Sequence, residues 1–266
     1  MFNRILKTVG ALIVILILAA SIGMVMYQPK DKFTIPEGTK FIAHRGHSSE
    51  YYENSEQAFL SAAKSDFFFA IETDIWLTAD GVWVCAHDAN PFEDESMNIF
   101  NITYEHALTL PLKSEKYGHD PTGIRLVSLE RYLEICYQYG KMAVIELKYT
   151  PQQDEIQELI EFVKSVFPLE RTQFISFHQS NIQKIKSVDP SITVQTLSSN
   201  LVISTLLINN GENVGINQNI VSDSIIEMAK KKSATLNVWT VNYIDKVKEL
   251  VEAGVDYITT DYIFEL

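Results

Sequence analysis

One complete repeat of the predicted fold lies in residues 142–163, which read MAVIELKYTPQQDEIQELIEFV. The apolar run from Met142 to Leu147 predicts a strand. Thr150-Pro151 follows as a cap with proline at the first helical position, and apolar residues then recur at helical spacing from Ile156 to Val163. The stretch therefore predicts a strand followed by an amphipathic helix.

The same alternation of short apolar runs and helical patterns extends from Lys40 to the C-terminus. Roughly eight strands that alternate with helices predict an α/β protein with a (β/α)8, TIM-type barrel. A doubly wound open sheet is the alternative, but the sequence has no Gly-rich dinucleotide loop. A chain of 266 residues with 46% hydrophobic content can bury the core of one such domain. Further predicted strands are residues 41–43, 174–176, 193–195, 236–241 and 257–259.

The net charge of −12 limits the ligands that the protein can bind. A nucleic-acid binder would need a basic face to neutralise phosphates, so no nucleic-acid partner is expected. An acidic protein can still bind a phosphorylated small molecule, provided that a metal ion or local cations offset the negative charge at the site.

The N-terminus carries a predicted membrane segment. Arg4 and Lys7 precede an uncharged, apolar run from Thr8 to Gln28, and crossing a bilayer takes ~20 residues. The length of this run predicts one N-terminal transmembrane helix, and so a single-pass cell-membrane protein. Positive charge before the run and acidic protein after it place the N-terminus in the cytoplasm, so the main domain is expected to be extracytoplasmic. The alternative is a signal peptide cleaved near Ala19-Ala20-Ser21, which would give a secreted protein.

These patterns divide the chain into three parts. We expect a transmembrane anchor or signal peptide over residues 1–28, a linker over 29–39 and the barrel domain over 40–266. Within the barrel domain, residues 89–125 show no periodicity and are predicted to form an irregular insertion. So long a segment inside a compact barrel is usually a lid or a substrate loop. Its apolar side chains predict either a small core of its own or a surface that grips an acyl chain.

A hairpin is predicted just before this insertion. Asp80-Gly81 separates two apolar strands, and Asp-Gly is a strong signal of a two-residue turn. Such a turn places Asp74 directly opposite His87, with Cβ atoms ~4.5–5.5 Å apart. Glu72 points to the same face as Asp74, because side chains alternate along a strand.

Histidines and charged residues occur at the ends of the predicted strands. Because strand ends meet at one face of a barrel, where active sites are built, we expect these side chains to lie together. Three carboxylates are costly to bring together without a cation, and oxygen ligands suit Ca²⁺ or Mg²⁺. Two histidines can each pass a proton near neutral pH, while arginine and lysine can hold a phosphate. Together they predict metal-assisted attack on a phosphodiester. The residues are His44, Arg45, Glu72, Asp74, His87, Glu146 and Lys148.

In their order along the chain, these motifs resemble those of the glycerophosphodiester phosphodiesterase family, over about residues 40–266. The resemblance implies a hydrolase of lipid metabolism that converts a glycerophosphodiester to an alcohol and glycerol 3-phosphate, through attack by the neighbouring glycerol hydroxyl. Its substrate would be a small glycerophosphodiester or a lysolipid. The motifs are IAHRG (42–46), ENS (53–55), IETD (71–74), TADG (78–81), HD (87–88), IELK (145–148), VWTVN (238–242) and TTD (259–261).

The resemblance also implies roles for the residues at the strand ends. The catalytic acid–base pair would be His44 and His87. The divalent metal, Ca²⁺ or Mg²⁺, would be held by Glu72, Asp74 and Glu146.

A further set of residues would bind the substrate. Arg45 and Lys148 would hold the phosphate, and Trp239 would pack against the alcohol part. Glu53 would support the loop of the first histidine or contact the substrate. His47 is an additional histidine, which we interpret as a loop residue, with a substrate contact as the alternative.

Two departures from the family pattern leave the substrate open. Tyr51-Tyr52 stand where the family usually has proline, and the stretch after His87-Asp88 lacks the usual Arg-Thr-Thr run. Because that stretch often shapes the substrate end of the site, the headgroup is not determined. The alternatives are a lysophospholipase D, a phosphatidylinositol phospholipase C-like phosphodiesterase and a non-catalytic membrane-anchored binding module.

Overall fold

The structure, a computed structural model, describes residues 38–265. In chain order the elements are β1 (Lys40–Ala43), α1 (Glu56–Lys64), β2 (Phe68–Leu77), β3 (Trp83–Cys85), α2 (Tyr104–Ala107), β4 (Val127–Ser128), α3 (Leu129–Gln138), β5 (Met142–Leu147), α4 (Gln153–Val166), β6 (Thr172–Ser176), α5 (Gln179–Val188), β7 (Thr193–Ser198), α6 (Leu201–Asn209), β8 (Val214–Asn217), α7 (Asp223–Lys232), β9 (Leu236–Trp239), α8 (Ile244–Glu252) and β10 (Tyr257–Thr260).

Eight parallel strands close into a barrel in this part of the chain. The strands are β1, β2 and β5 to β10, and each pairs in parallel with its neighbours. The barrel closes because β1 pairs with both β2 and β10. The predicted TIM-type barrel is therefore confirmed.

The helices between barrel strands bury the faces that the sequence pattern predicts. In α4 the buried residues repeat at helical spacing from Ile156 to Val163. This helix begins at Gln153, two residues later than predicted. Its N-cap is Gln152, whose N–H donates to the Glu155 carboxylate at 2.6 Å.

The barrel interior has an apolar layer beneath the rim. Ile42, Ala70, Val144, Ile175 and Leu197 are buried and pack together, one from each of five neighbouring strands. Because side chains alternate, residues two positions later point to the same face, nearer the carboxyl ends of the strands. On three of these strands the next inward positions carry ionisable side chains, namely His44, Glu72 and Glu146.

The hairpin of β2 and β3 is present, but its register differs from the prediction by one residue. Ile75 pairs with Cys85, so the turn contains the three residues 79–81 rather than two. Gly81 has a φ of 82°, the left-handed conformation with which a three-residue turn ends. Since β3 runs antiparallel to β2, it is not one of the eight barrel strands.

This shift changes the position of His87. Asp74 lies opposite Ala86, whose N–H donates to the Asp74 carbonyl at 3.0 Å. The prediction that Asp74 lies directly opposite His87 is therefore wrong, because a one-residue change of register moves every cross-strand pair. β2 extends to Leu77, past the end of its pairing with β5, and the antiparallel β3 then returns the chain to the barrel rim at His87.

The insertion over residues 89–125 has a core of its own. It contains α2, a 3-10 helix (Ile99–Asn101) and a bridge between Phe92 and Leu112, both of which are buried. Its apolar residues pack against one another and against β3. This arrangement favours the first of the two predicted alternatives, a small core; Phe100, which is 38% exposed, is an exception.

Replacing Phe92 should test this small core. Phe92 is fully buried, so Phe92→Ala is expected to lower the free energy of unfolding by ~3–5 kcal/mol. Phe100→Ala is the matched control, because this exposed residue loses mainly edge-to-face contacts with Trp76 at 5.2 Å and Tyr149 at 5.0 Å, each worth ~0.5–1.5 kcal/mol. Denaturant unfolding measures both values. Equal, small losses would mean that the insertion packs loosely.

The predicted fold class needs one correction. Among residues 38–265 no helix is long and apolar enough to cross a membrane. The longest of them, α4, has 14 residues and an exposed charged face, whereas a span takes ~20 apolar residues. For the described residues the fold class is therefore a TIM-type barrel with no transmembrane helix. The segment predicted to form that helix, residues 1–28, lies outside the described residues, and the cellular location stays a prediction.

Candidate active site

Three carboxylates converge at the carboxyl ends of β2 and β5. Asp74 and Glu146 are register partners on these parallel strands, and Glu72 lies two residues before Asp74 on the same face. One oxygen of each lies within 4.8 Å of the others, and all three side chains are buried. The structure thus brings together the three residues predicted to hold a metal.

Two cations lie directly beside these carboxylates. Lys148 Nζ is 2.9 Å from Glu146 Oε1 and 3.1 Å from Asp74 Oδ1. Arg45 Nε is 3.2 Å from Asp74 Oδ2. The predicted phosphate-binding residues therefore lie at the carboxylate cluster, and both side chains are largely buried.

The pKa values of the three carboxyl groups are shifted in different directions. Burial, followed by the charges of Asp74 and Glu146, raises the pKa of Glu72 well above its ordinary value. Burial and then Asp74 raise the pKa of Glu146 to about 7. Burial alone would also raise the pKa of Asp74, but Arg45 and Lys148 lower it below its ordinary value. Three carboxylates thus face two cations, an arrangement that a further cation would stabilise.

The residues present fit a hard divalent cation. Glu72 Oε2 accepts from the Arg45 backbone N–H at 2.8 Å. The other oxygen, Glu72 Oε1, is buried and has no hydrogen-bond partner among residues 38–265. A buried carboxylate oxygen without a donor is costly unless a cation contacts it. All three ligands would be carboxylate oxygens, which Ca²⁺ and Mg²⁺ prefer.

The loop after β1 is packed closely enough to hold these groups in place. Gly46 has a φ of 78°, and a Cβ on it would lie 2.6 Å from the carbonyl carbon of Ala58 in α1. Asn54 ties the loop to β2, since its Nδ2 donates to Asp74 Oδ2 at 3.1 Å and its Oδ1 accepts from the Thr73 hydroxyl at 2.8 Å. Asn54 lies inside the ENS motif (53–55), but no role was predicted for it from the sequence.

His44 is held by a buried carboxylate that the sequence analysis did not assign. Its Nδ1 lies 2.6 Å from Asp261 Oδ1. A carboxylate only accepts hydrogen bonds, so Nδ1 carries the proton and Nε2 is the basic nitrogen. Burial and then Arg45 lower the pKa of His44, against the effect of Asp261, so the free ring is neutral near pH 7. Asp261 directly follows β10, and its position at the end of a strand could have identified it as a site residue.

His87 lies at the same rim and is more exposed. Its Nδ1 lies 2.9 Å from Asp88 Oδ1, and its side chain is 37% exposed. Burial lowers the pKa of His87, and Asp74 partly opposes this effect. Both predicted acid–base residues therefore present a ring whose Nδ1 faces a carboxylate and whose Nε2 is available.

Two cavities open beside the carboxylates. The larger, about 320 Å³, is lined by Arg45, Glu53, His87 and residues 112–116 of the insertion. Glu53 Oε2 accepts from Arg45 Nη1 at 2.7 Å. Glu53 therefore supports the loop that carries His44 and also lies beside the space in which a substrate would fit, in keeping with both of its predicted roles.

Trp239 forms one wall of the smaller cavity, about 30 Å³, which His44, Glu72 and Glu146 also line. Its ring contacts Phe177 edge to face, with centroids 5.4 Å apart. Its Nε1 is buried without a hydrogen-bond partner in the described part of the chain. Trp239 is therefore placed to contact a ligand at the carboxylates, although its predicted role stays a prediction.

The additional histidine of this loop lies elsewhere. His47 is buried, and its Nδ1 lies 2.9 Å from the Ser61 hydroxyl in α1. It lines neither of the two cavities. This position agrees with its interpretation as a loop residue rather than a substrate contact.

Comparison with known proteins shows which chains share these features. Residues 44–265 match the model of the Glycerophosphoryl diester phosphodiesterase family. A glycerophosphodiester phosphodiesterase of Bacillus altitudinis is 27% identical over 238 residues, which cover 84% of this chain and 95% of that protein.

Solved structures share the barrel. An Oleispira antarctica phosphodiesterase, solved in complex with the product sn-glycerol-3-phosphate, has a TM-score of 0.72 and 22% identity, and the match covers 84% of this chain and 93% of that chain. At this identity the likeness shows the fold alone. A glycerophosphodiester phosphodiesterase from Parabacteroides distasonis has a TM-score of 0.69 and 26% identity, with 84% and 93% covered.

Proposed function

Because the chain belongs to the glycerophosphoryl diester phosphodiesterase family, we propose that it hydrolyses glycerophosphodiesters to an alcohol and glycerol 3-phosphate, with a divalent metal ion. One observation carries the proposal: three buried carboxylates, two cationic side chains and two histidines occupy one rim of the barrel. The bacillar relative named for this activity and the Oleispira phosphodiesterase bound to sn-glycerol-3-phosphate support this product.

Arg45 and Lys148 would hold the phosphate of the substrate. Both lie within 3.2 Å of Asp74, so their charged groups are fixed before the substrate arrives, and a fixed guanidinium orients phosphate oxygens. Glu53 supports this position through Arg45 Nη1. The metal ion, held by Glu72, Asp74 and Glu146, would stabilise the negative charge that develops on the phosphate as a Lewis acid.

The two histidines would move the protons. One takes the proton of the glycerol hydroxyl that attacks phosphorus, and the other gives a proton to the alcohol oxygen as its bond to phosphorus breaks. A bound phosphodiester anion favours the protonated form of the nearer ring. Water then opens the cyclic phosphate, giving its proton to the second histidine while the first returns its proton to the glycerol oxygen. At the end of the cycle, His44 and His87 each have the protonation state with which they began.

Two other functions would share parts of this site. A phosphatidylinositol phospholipase C-like enzyme would carry out the first step and release the cyclic phosphate. A lysophospholipase D would act on a substrate that still carries an acyl chain. Both use the same phosphate and proton chemistry, so only the substrate and the final product separate them from the proposed function.

A product assay tests the proposed function. We expect the protein to convert glycerophosphocholine, glycerophosphoethanolamine or glycerophosphoglycerol to glycerol 3-phosphate in the presence of Ca²⁺ or Mg²⁺, with kcat of ~1–10³ s⁻¹. A coupled glycerol-3-phosphate dehydrogenase assay measures the product, and lysophosphatidylcholine is tested in parallel. A cyclic phosphate as the end product would contradict the proposal. So would binding of these diesters without turnover, which would indicate a binding module.

A further inference from the structure

The carboxylate that holds His44 is itself held by the insertion. Asp261 is almost fully buried, and its Oδ1 faces His44 and the Ser48 hydroxyl. Its other oxygen, Oδ2, lies 2.9 Å from Lys116 Nζ and accepts from the Tyr117 hydroxyl and from the Asn242 side-chain amide. Lys116 and Tyr117 belong to the segment 89–125, far from β10 in the sequence, so this contact exists only in the folded barrel.

A rigid turn carries these two residues. The Glu115 carboxylate accepts from the N–H groups of Tyr117 and His119, both at 2.9 Å. The Gly118 N–H donates to the Glu115 carbonyl at 3.0 Å. Lys116 Nζ lies 4.7 Å from the centre of the Tyr117 ring, a cation–π contact. Residues 115–119 therefore present an ammonium group and a hydroxyl in a fixed arrangement.

The charges at this contact favour a stable arrangement. Burial alone would raise the pKa of Asp261, but hydrogen bonds from His44, Lys116 and Tyr117 lower it, so the group is a carboxylate. Burial and then Asp261 raise the pKa of Tyr117, so its hydroxyl keeps the proton that it donates. Because Lys116 and Tyr117 donate to Oδ2 of Asp261, its other oxygen, Oδ1, is directed to His44 Nδ1.

We propose that Lys116 and Tyr117 are positioning residues for His44, acting through Asp261. They fix the carboxylate, the carboxylate fixes the proton on His44 Nδ1, and Nε2 is thereby kept as the nitrogen that exchanges protons. The inference rests on the proposed function in one respect, that His44 transfers a proton. The same turn lines the larger cavity through Glu115 and Lys116, so one segment borders the substrate space and supports the histidine.

The test combines kinetics with nuclear magnetic resonance of the full-length protein. The double variant Lys116→Met/Tyr117→Phe removes both donors of the insertion and keeps their apolar bulk, while the Asn242 amide remains on Oδ2. We expect kcat to fall ~10–100-fold, as is typical when the outer partners of a site are lost, with KM changed less than ~3-fold because neither residue would hold the phosphate. Lys116→Arg, which keeps the cation, should retain most of the activity.

A double-mutant cycle separates positioning from a general structural effect. If the two residues act through His44, their replacement in a His44→Ala background should cause no further loss of the residual activity. The matched control is Lys64→Met/Tyr137→Phe. Both residues are exposed, at the C-terminal ends of α1 and α3, and kcat should not change. An equal loss of kcat with and without His44 would overturn the proposal.

The nuclear magnetic resonance experiment does not depend on turnover. In ¹⁵N-histidine-labelled protein, the Nδ1–H signal of His44, assigned by its absence in His44→Ala, should be protected from exchange. In the double variant it should broaden or vanish. An unchanged signal would overturn the proposal, whether or not the protein hydrolyses glycerophosphodiesters. If the wild type hydrolyses none of them but the signal changes as expected, the positioning holds and the proposed function fails.

Discussion

His44→Ala and His87→Ala are each expected to lower kcat for glycerophosphodiester hydrolysis by ~10²–10⁴. Each change removes one of the two groups that would transfer a proton at the barrel rim. His87 is more than a third exposed, so His87→Ala should change the melting temperature little. His44→Ala also removes the hydrogen bond to the buried Asp261 carboxylate and should lower the melting temperature. Steady-state kinetics at saturating substrate and metal measures the loss.

The combination of both changes is the sharper test. If the two histidines serve one reaction, the double variant should be scarcely slower than the slower single variant, because their effects are non-additive. His47→Ala is the matched control within the same loop. It removes a buried hydrogen bond to Ser61, so it should lower the melting temperature while kcat stays within ~3-fold. A loss of activity as large as that of His44→Ala would contradict the assignment.

Removal of divalent ions is expected to lower activity by ~10³-fold or more, with recovery on adding Ca²⁺ or Mg²⁺. The expectation rests on three buried carboxylates, one with an unpartnered oxygen, Glu72 Oε1. A metal ion contributes several kcal/mol of transition-state stabilisation, and each 1.36 kcal/mol is tenfold in rate. Full activity after exhaustive chelation and dialysis would contradict the metal site.

The same site can be tested without turnover. Saturating metal should stabilise the wild type, by ~2.7 kcal/mol at a free concentration of one hundred times Kd. Glu72→Gln or Asp74→Asn should remove that stabilisation, which thermal unfolding with and without metal measures. Glu227→Gln, an exposed acidic residue on α7, is the control. Equal stabilisation of all variants would mean that the ion binds elsewhere.

The family and the enzyme class, a phosphoric diester hydrolase, were both predicted correctly. The motifs suffice for this because most of them lie at the ends of apolar runs, and parallel strands bring those ends to one face. For the same reason the three carboxylates could be placed together before the structure was known. The position of His87 could not, because it depends on whether one turn has two residues or three.

The local sequence pattern determined the strands, the helices and the polar residues at the strand ends. Closure of the barrel determined which of these residues contact one another. Strand and helix periodicity, and the polar residues at strand ends, are short-range properties that the sequence states directly. The partner of His44 is 217 positions away, and Lys116 is 145 positions from the carboxylate that it holds. No periodicity links residues so far apart. Only the closure of β1 against β10, and the packing of the insertion over the rim, bring Asp261, Lys116 and Tyr117 to His44.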